Sequence, residues 1–387
     1  AELRARGVPL PPPIEHAFLT VPRHLFVPGV YLDAVYRDQV IVTKRDKEGQ
    51  AISSSSQPAI MAVMLDALDV RAGHRVLEIG TGTGYNAALL AEIVGEGGQV
   101  TTIELDDEIA EAAKAHLERA GYPTVTVITG DGAQGYAPAA PYDRIIVTAS
   151  AWDLPAAWRE QLRAGGGLVV PLRFEGVQIG AALVKQADGS LRSSRLFPLG
   201  FVPLQGAAAP PTAQVQVPAS ALRLTFGDNE TIDEAAVYAL LADQHEWAQL
   251  PLELSRCNLG LLCYYLLFHE PEMYQFVTYQ VDDGQTAFGL QGIGWGILSR
   301  TSACLVPFGD ERVVHLYGGS DAYLTLVTIA TAWQEAGQPD LESGPLRPHL
   351  HIAPAGRQPF QPPAGSVDAI RVFQRPMHTF TLWLERE

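Results

Sequence analysis

The chain has 387 residues, and the 47% that are apolar suffice for one large or two ordinary domains with a sizeable core. A formal net charge of −16 argues against a nucleic-acid partner and against an anionic membrane surface. Cys257, Cys263 and Cys304 are too few and too scattered for a disulfide framework or a paired metal-ligand set; with no apolar run of transmembrane length and no signal-peptide pattern, they suit a reducing cytoplasm.

In chain order, residues 1–50 read as irregular, with "VPLPPP" and "VPRHLFVPGVYLDAVYRDQ" in extended or turn conformation. "PAIMAVMLDAL" then has helical spacing, with Pro58 in the first turn. Strand and helix alternate from there. "HRVLEIG" predicts a buried strand and "YNAALLAEIVG" a helix. "QVTTIEL" predicts a strand, and "DEIAEAAKAHLERAG" a helix capped by Asp106 or Asp107 and stopped at Gly121. "TVTVITGD" and "YDRIIVTAS" predict strands, "PAAWREQLRAGG" a helix and "GLVVPL" a strand. Such repetition implies a parallel sheet covered on both faces. "VQIGAALVKQ" and "LRSSRLFPLGFVPL" read as its antiparallel finish.

Residues 205–214, "QGAAAPPTAQ", are the best linker, dividing a domain 1–206 from an α+β domain 207–387. The latter shows helical patterns over 231–248 and 320–336. Its strand candidates are "SACLVPF", "RVVHLYG", "HLHIAP" and "AIRVFQ". Trp247, Trp295 and Trp333 read as core, His269 as structural, and the pair His349 and His351 lacks a third metal ligand, so no metal is expected.

The sharpest motif is "VLEIGTGTGYNAALLA". Gly80, Gly82 and Gly84 follow a strand ending at Glu78–Ile79, with Thr81 and Tyr85 in the same turn. The spacing is G-x-G-x-G rather than the dinucleotide G-x-G-x-x-G, and an acid precedes it, which suits a cofactor with no phosphate and a cationic part. Glu104, 24 residues after Gly80 and followed by Leu105, can accept both hydroxyls of a ribose. Gly130–Asp131–Gly132 ends the third strand, where Asp131 can accept from an adenine amino group.

These residues resemble the S-adenosylmethionine-dependent methyltransferases, and within them the protein-L-isoaspartate O-methyltransferases, over about residues 17–204. The likeness rests on "VPRHLFVP", "YRD" at 36–38, "SQP" at 56–58, the glycine loop, "GDG", "APYDRIIVTAS", "QLRAGGGLVVP" and "FVPL". It implies a Rossmann-like α/β fold, S-adenosyl-L-methionine as cofactor and a peptide carboxylate as methyl acceptor. Tyr36, Asp38 and Gln57 match positions near that acceptor. Ser56 matches the serine of S-Q-P, associated with the acceptor carboxylate. Alignment through "GQ-I-S" chooses Ser53 instead, and Ser54 and Ser55 lie between. The helix after Pro58 favours Ser56; a flexible serine loop is the plainer reading.

Two departures bear on the substrate. Repair enzymes typically read G-Q-T-I-S-Q-P, whereas "GQAISSSSQP" has three extra residues, and the chain continues for about 180 residues past "FVPL". In both respects it looks like the larger relatives that accompany ribosomally made, modified peptides such as lanthipeptides and graspetides. That likeness implies methylation of an aspartate in a cyclised precursor peptide, leading to a succinimide or isoaspartate, with 207–387 as an accessory domain for recognition of the peptide substrate. General isoaspartyl repair is the alternative, and a cofactor-binding adaptor a third, disfavoured by the intact set of glycines and acids.

Overall fold

A computed structural model describes the chain except at residues 1, 48, 50, 212–213, 227–232, 251–255, 270, 272, 283, 309–312, 364, 366 and 387. The side chains of 214 and 256–260 are likewise outside the description; Cys257 therefore lies beyond it.

Buried, β-branched runs build the centre of the first sheet. Strands β1 (Ile41–Arg45) and β2 (Ala51–Ser55) form a separate antiparallel hairpin. Then follow β3 (Arg75–Ile79), β4 (Gln99–Glu104), β5 (Thr126–Thr129), β6 (Tyr142–Val147) and β7 (Leu162–Phe174). These pair in parallel in the order β7-β6-β3-β4-β5. Strands β8 (Val177–Lys185) and β9 (Leu191–Pro198) extend the sheet antiparallel. Helices Pro58–Leu68, Tyr85–Val94 and Asp107–Ala120 cover it. The last is capped by Asp106, whose carboxylate accepts from the Glu108 and Ile109 amides, and closes at Gly121 in left-handed conformation. This is the Rossmann-like arrangement expected from the alternating pattern.

The chain then leaves for a seven-stranded antiparallel sheet among the described residues. It comprises β10 (Gln214–Gln216), β11 (Leu222–Phe226), β12 (His245–Gln249), β13 (Gln275–Val281), β14 (Ile293–Leu298), β15 (Ser302–Pro307) and β16 (Val313–Gly318). It does not stay there. Strands β17 (Leu346–Pro354), β18 (Val367–Gln374) and β19 (His378–Arg386) return and join the first sheet through β17 and β9. One hydrophobic core consequently runs from Leu77 and Trp158 to Trp295, Trp333, Leu350 and Phe380. The second sheet spans strands between residues 214 and 318, and the strands between 346 and 386 belong to the first sheet.

Several sequence expectations are corrected. The helix read over 231–248 is Glu234–Ala242, followed by the edge strand β12; Trp247 on that strand is 68% exposed, while Trp295 and Trp333 are fully buried. Residues 231–232 lie outside the described residues. The helix Arg256–Phe268 has no counterpart in the sequence pattern: Leu262, Cys263, Leu266, Leu267 and Phe268 are all buried, so its described part shows no polar face to mark the helical period. Nor is 1–50 irregular throughout: Pro12–Thr20 is a helix with proline in its first turn. The histidine pair on β17 is taken up locally. His349 stacks on Trp383 and pairs with Glu385 at 3.0 Å, and His351 stacks on Phe360.

Candidate active site

The C-terminal ends of β3, β4 and β6 open into a pocket of about 560 Å³, roofed by the β1–β2 hairpin and walled by residues 200–205. Its lining includes Ser53, Ser54, Ser55, Ser56, Gln57, Glu78, Gly80, Thr81, Gly82, Tyr85, Glu104, Leu105 and Gly132. Thus most of the residues singled out from sequence meet in one cavity. Gly84, Gly130, Asp131, Tyr36 and Asp38 are not in the lining.

The turn after β3 needs glycine for two different reasons. Gly80 has φ +94°, and a Cβ there would stand 2.6 Å from Thr148 Oγ1, which itself donates to the Gly80 carbonyl. Gly82 has φ +52°, and its Cβ would meet the Ser54 carbonyl at 3.2 Å. The glycine loop and the serine strand therefore approach backbone to backbone. Gly84 faces the other way, against Ala113 and Leu117 of the neighbouring helix.

Two carboxylates sit at the pocket floor. Glu78 is fully buried and accepts from Asn86 Nδ2 (2.7 Å) and Thr102 Oγ1 (2.6 Å). Desolvation, outweighing those two bonds, pushes its pKa up to about 7. Glu104 accepts from the amides of Gly82 (2.9 Å), Leu105 (3.0 Å) and Asp106 (3.3 Å), and burial raises its pKa too. Asp131 instead caps its own turn through the Ala133 amide and accepts from the Ala207 amide at 2.8 Å, tying the expected linker to the third strand end.

The serine run is not a loop. Residues 51–55 form β2, on which Ser53 and Ser55 are buried on one face and Ser54 half-buried on the other. Ser53 Oγ accepts from Thr43 Oγ1 at 3.1 Å. Lys44 on β1 reaches across to Asp106 (2.7 Å) and Glu108 (2.9 Å) at the start of the helix Asp107–Ala120. Asp38 caps the helix after the serines: its carboxylate accepts from the Ala59 amide and Gln57 Nε2, both at 2.8 Å, and pairs with Arg6. Tyr36 is exposed, with its hydroxyl 2.8 Å from His24 Nδ1.

Sequence reasoning missed Asn86, Thr102 and Thr148, which hold the loop and its acid. Nor does the motif "VPRHLFVP" mark the role of its Arg23, which lies behind β2. The sequence likewise does not mark 200–205 as a wall, held by the Ser150 amide to Val202 O (2.8 Å) and the Leu204 amide to Ser150 O (2.9 Å). Such pairings join segments about 50 residues apart, and no local pattern announces them.

Among the described residues the lining contains no lysine, arginine or histidine, and its carboxylates are Glu78, Glu104 and Asp106. That donor set suits a cationic, phosphate-free ligand; hydroxyls and amides on the serine side suit a carboxylate that must stay ionised.

Known proteins similar to this chain fall in one family. The family model described as Protein-L-isoaspartate(D-aspartate) O-methyltransferase matches residues 1–209. A protein-L-isoaspartate O-methyltransferase of Ignicoccus hospitalis is 44% identical over 192 residues, 49% of this chain and 88% of that protein. Protein-L-isoaspartate O-methyltransferase 1 of Archaeoglobus fulgidus is 46% identical over 193 residues, 50% of this chain and 85% of that protein. A solved structure named protein-L-isoaspartate O-methyltransferase is 26% identical, with a TM-score of 0.51; the match covers 90% of this chain and 93% of the other.

Proposed function

The chain belongs to the protein-L-isoaspartate O-methyltransferase family of S-adenosylmethionine-dependent O-methyltransferases, and on that premise we propose that it methylates the free α-carboxylate of isoaspartyl residues in polypeptides, the one left over when the chain runs through the side-chain carboxyl. The observation that carries the reading is a single pocket with acids on the glycine-loop side and hydroxyls on the facing strand.

S-adenosylmethionine supplies, when bound, an electrophilic methyl group on a sulfonium. The chain's own residues do the rest. Glu104 accepts from the ribose hydroxyls, and Glu78 offsets positive charge from beneath the loop. Gly80 and Gly82 leave room for close approach of the ligand to the backbone. On the opposite side Ser56, with Ser53–Ser55 and Gln57 around it, holds the acceptor carboxylate by hydroxyl and amide groups. A carboxylate is ionised at neutral pH and needs no general base. The protein's task is therefore to aim one oxygen and strip its water.

The comparisons favour general isoaspartyl methylation over a cyclised ribosomal peptide. The expectation of a lanthipeptide- or graspetide-type partner leaned on the chain's extra length. A structure bearing the isoaspartyl name matches nine tenths of this chain, so length does not argue for it. The test is methyl transfer, followed by mass spectrometry, to three substrates: an isoaspartyl peptide, the same peptide with normal aspartate, and a cyclised aspartyl peptide. Transfer to the first alone is expected. Preference for the cyclised aspartate would restore the ribosomal-peptide reading.

A further inference from the structure

Arg23 stands directly behind the serine strand and is 1% exposed. Among the described residues every hydrogen bond of its guanidinium goes to a neutral oxygen, and the Asp38 carboxylate acts on it through space without a hydrogen bond. Nη1 donates to the carbonyls of Val35 (2.7 Å) and Arg37 (3.2 Å). Nη2 donates to Gln39 O (3.2 Å), Ser55 O (3.5 Å), Ser55 Oγ (3.3 Å) and Ser56 O (3.0 Å), and Nε to Ser55 Oγ (3.4 Å). The group also lies 5.8 Å from the centre of the Tyr85 ring, in the glycine-loop turn.

A buried cation is costly unless compensated, and a carboxylate partner would be the ordinary compensation. Here planar, forked donors gather the segment 35–39 and the end of β2 around one point. Two consequences reach the pocket, which both serines line. Ser55 and Ser56 have their carbonyls turned inward to Arg23, so the backbone that carries them is fixed. Because Ser55 Oγ accepts from a cation, its own O–H is a stronger donor toward the cavity. A direct arginine–carboxylate pair would hold the acceptor but draw charge from the attacking oxygen; a cation one hydroxyl behind attracts it while leaving both oxygens free.

We propose that Arg23 is a positioning residue for methyl transfer, acting through Ser55 and Ser56 on the acceptor carboxylate. This rests on the acceptor side of the pocket assigned under the proposed function.

The test compares wild type with Arg23→Lys, which keeps the charge and loses the fork, and with Ser55→Ala. Wild-type turnover of an isoaspartyl peptide reads the functional assignment itself. Relative to it, Arg23→Lys should lose roughly 10- to 100-fold in kcat/KM for the peptide, the order expected when an acceptor is misplaced by a fraction of its reach. Affinity for S-adenosylhomocysteine, by calorimetry, should stay within about threefold, since a binding energy change under 0.7 kcal/mol is no loss of cofactor contact. Amide exchange should quicken over residues 53–57 and not in β3 or β4. The double variant should be little worse than Arg23→Lys alone. The proposal is overturned by unchanged peptide kinetics in a folded Arg23→Lys, by cofactor affinity falling in step with activity, or by fully additive losses in the double variant. If Arg23→Lys does not fold, Ser55→Ala at wild-type kcat/KM overturns the route through Ser55. An inactive wild type would sink the isoaspartyl assignment, and the exchange pattern would still decide whether Arg23 fixes the strand.

Discussion

Glu78 keeps its proton unusually long. An unfolded glutamate loses it near pH 4.3, whereas desolvation in the folded chain holds the pKa at about 7. Between those values the folded state binds a proton that the unfolded state has released. Stability from this group is therefore complete below about pH 4.3 and falls as pH rises through the window to about 7. A cationic ligand reverses the preference and draws Glu78 into its ionised form. S-adenosylmethionine carries a sulfonium that S-adenosylhomocysteine lacks, so its affinity should rise more steeply between about pH 6 and 8, with proton release on binding. Calorimetry in two buffers of different ionisation enthalpy reads both quantities; equal, flat profiles for the two ligands would remove Glu78 from the charge balance. Glu104 makes a second test. Glu104→Ala strands the amides of Gly82, Leu105 and Asp106 as well as the ribose hydroxyls, and should weaken S-adenosylmethionine by about 1–3 kcal/mol. Glu104→Gln retains one acceptor oxygen and should lose less. Unchanged affinity in a folded Glu104→Ala would contradict its assignment.

Lys44 fastens the β1–β2 hairpin to the start of the helix Asp107–Ala120 through its ion pairs with Asp106 and Glu108. Its partners are exposed enough for salt to screen them. Lys44→Ala should therefore speed release of S-adenosylhomocysteine by a small factor, about two- to fivefold at low ionic strength, and the difference should vanish in 1 M salt. Stopped-flow displacement measures it; a salt-independent difference would mean that Lys44 shapes the hairpin rather than fastening it. The hairpin also shows what sequence conveys and what it does not. The order of strands and helices from Pro58 to Pro198 follows from periodicity, because each element buries a patterned face. The glycine loop, Glu78 and Glu104 follow from strand ends at fixed spacing. Four serines in a row carry no such pattern. Their role as a strand comes from pairing with Ile41, Val42 and Lys44, and from Arg23, whose partners are spread from Val35 to Ser56. Asp38 likewise matches a motif near the site, yet its carboxylate is engaged by the helix start at Ala59.

Strands β17–β19 make the catalytic sheet inseparable from the last part of the chain. Phe380 is fully buried against Phe174, and Arg375 lies over both rings while donating to the Trp152 and Arg173 carbonyls. Phe380→Ala should cost about 3–5 kcal/mol of stability by chemical denaturation, although the residue is remote from the pocket. Removing residues 207–387 should expose Leu168, Leu183 and Leu191 and leave a sheet that melts early or aggregates, so loss of activity in that truncation would not speak to substrate recognition. A near-native melting curve for the truncated chain would contradict this. The same return has a consequence in time. Strand β9 receives its neighbour β17 only after some 150 further residues have been made. At ribosomal rates of about 5–20 residues per second, the nascent chain carries an open sheet edge for roughly 8–30 seconds. Such an edge is a template for wrong pairing, so during synthesis the seven-stranded insertion delays closure of the very sheet that bears the active site.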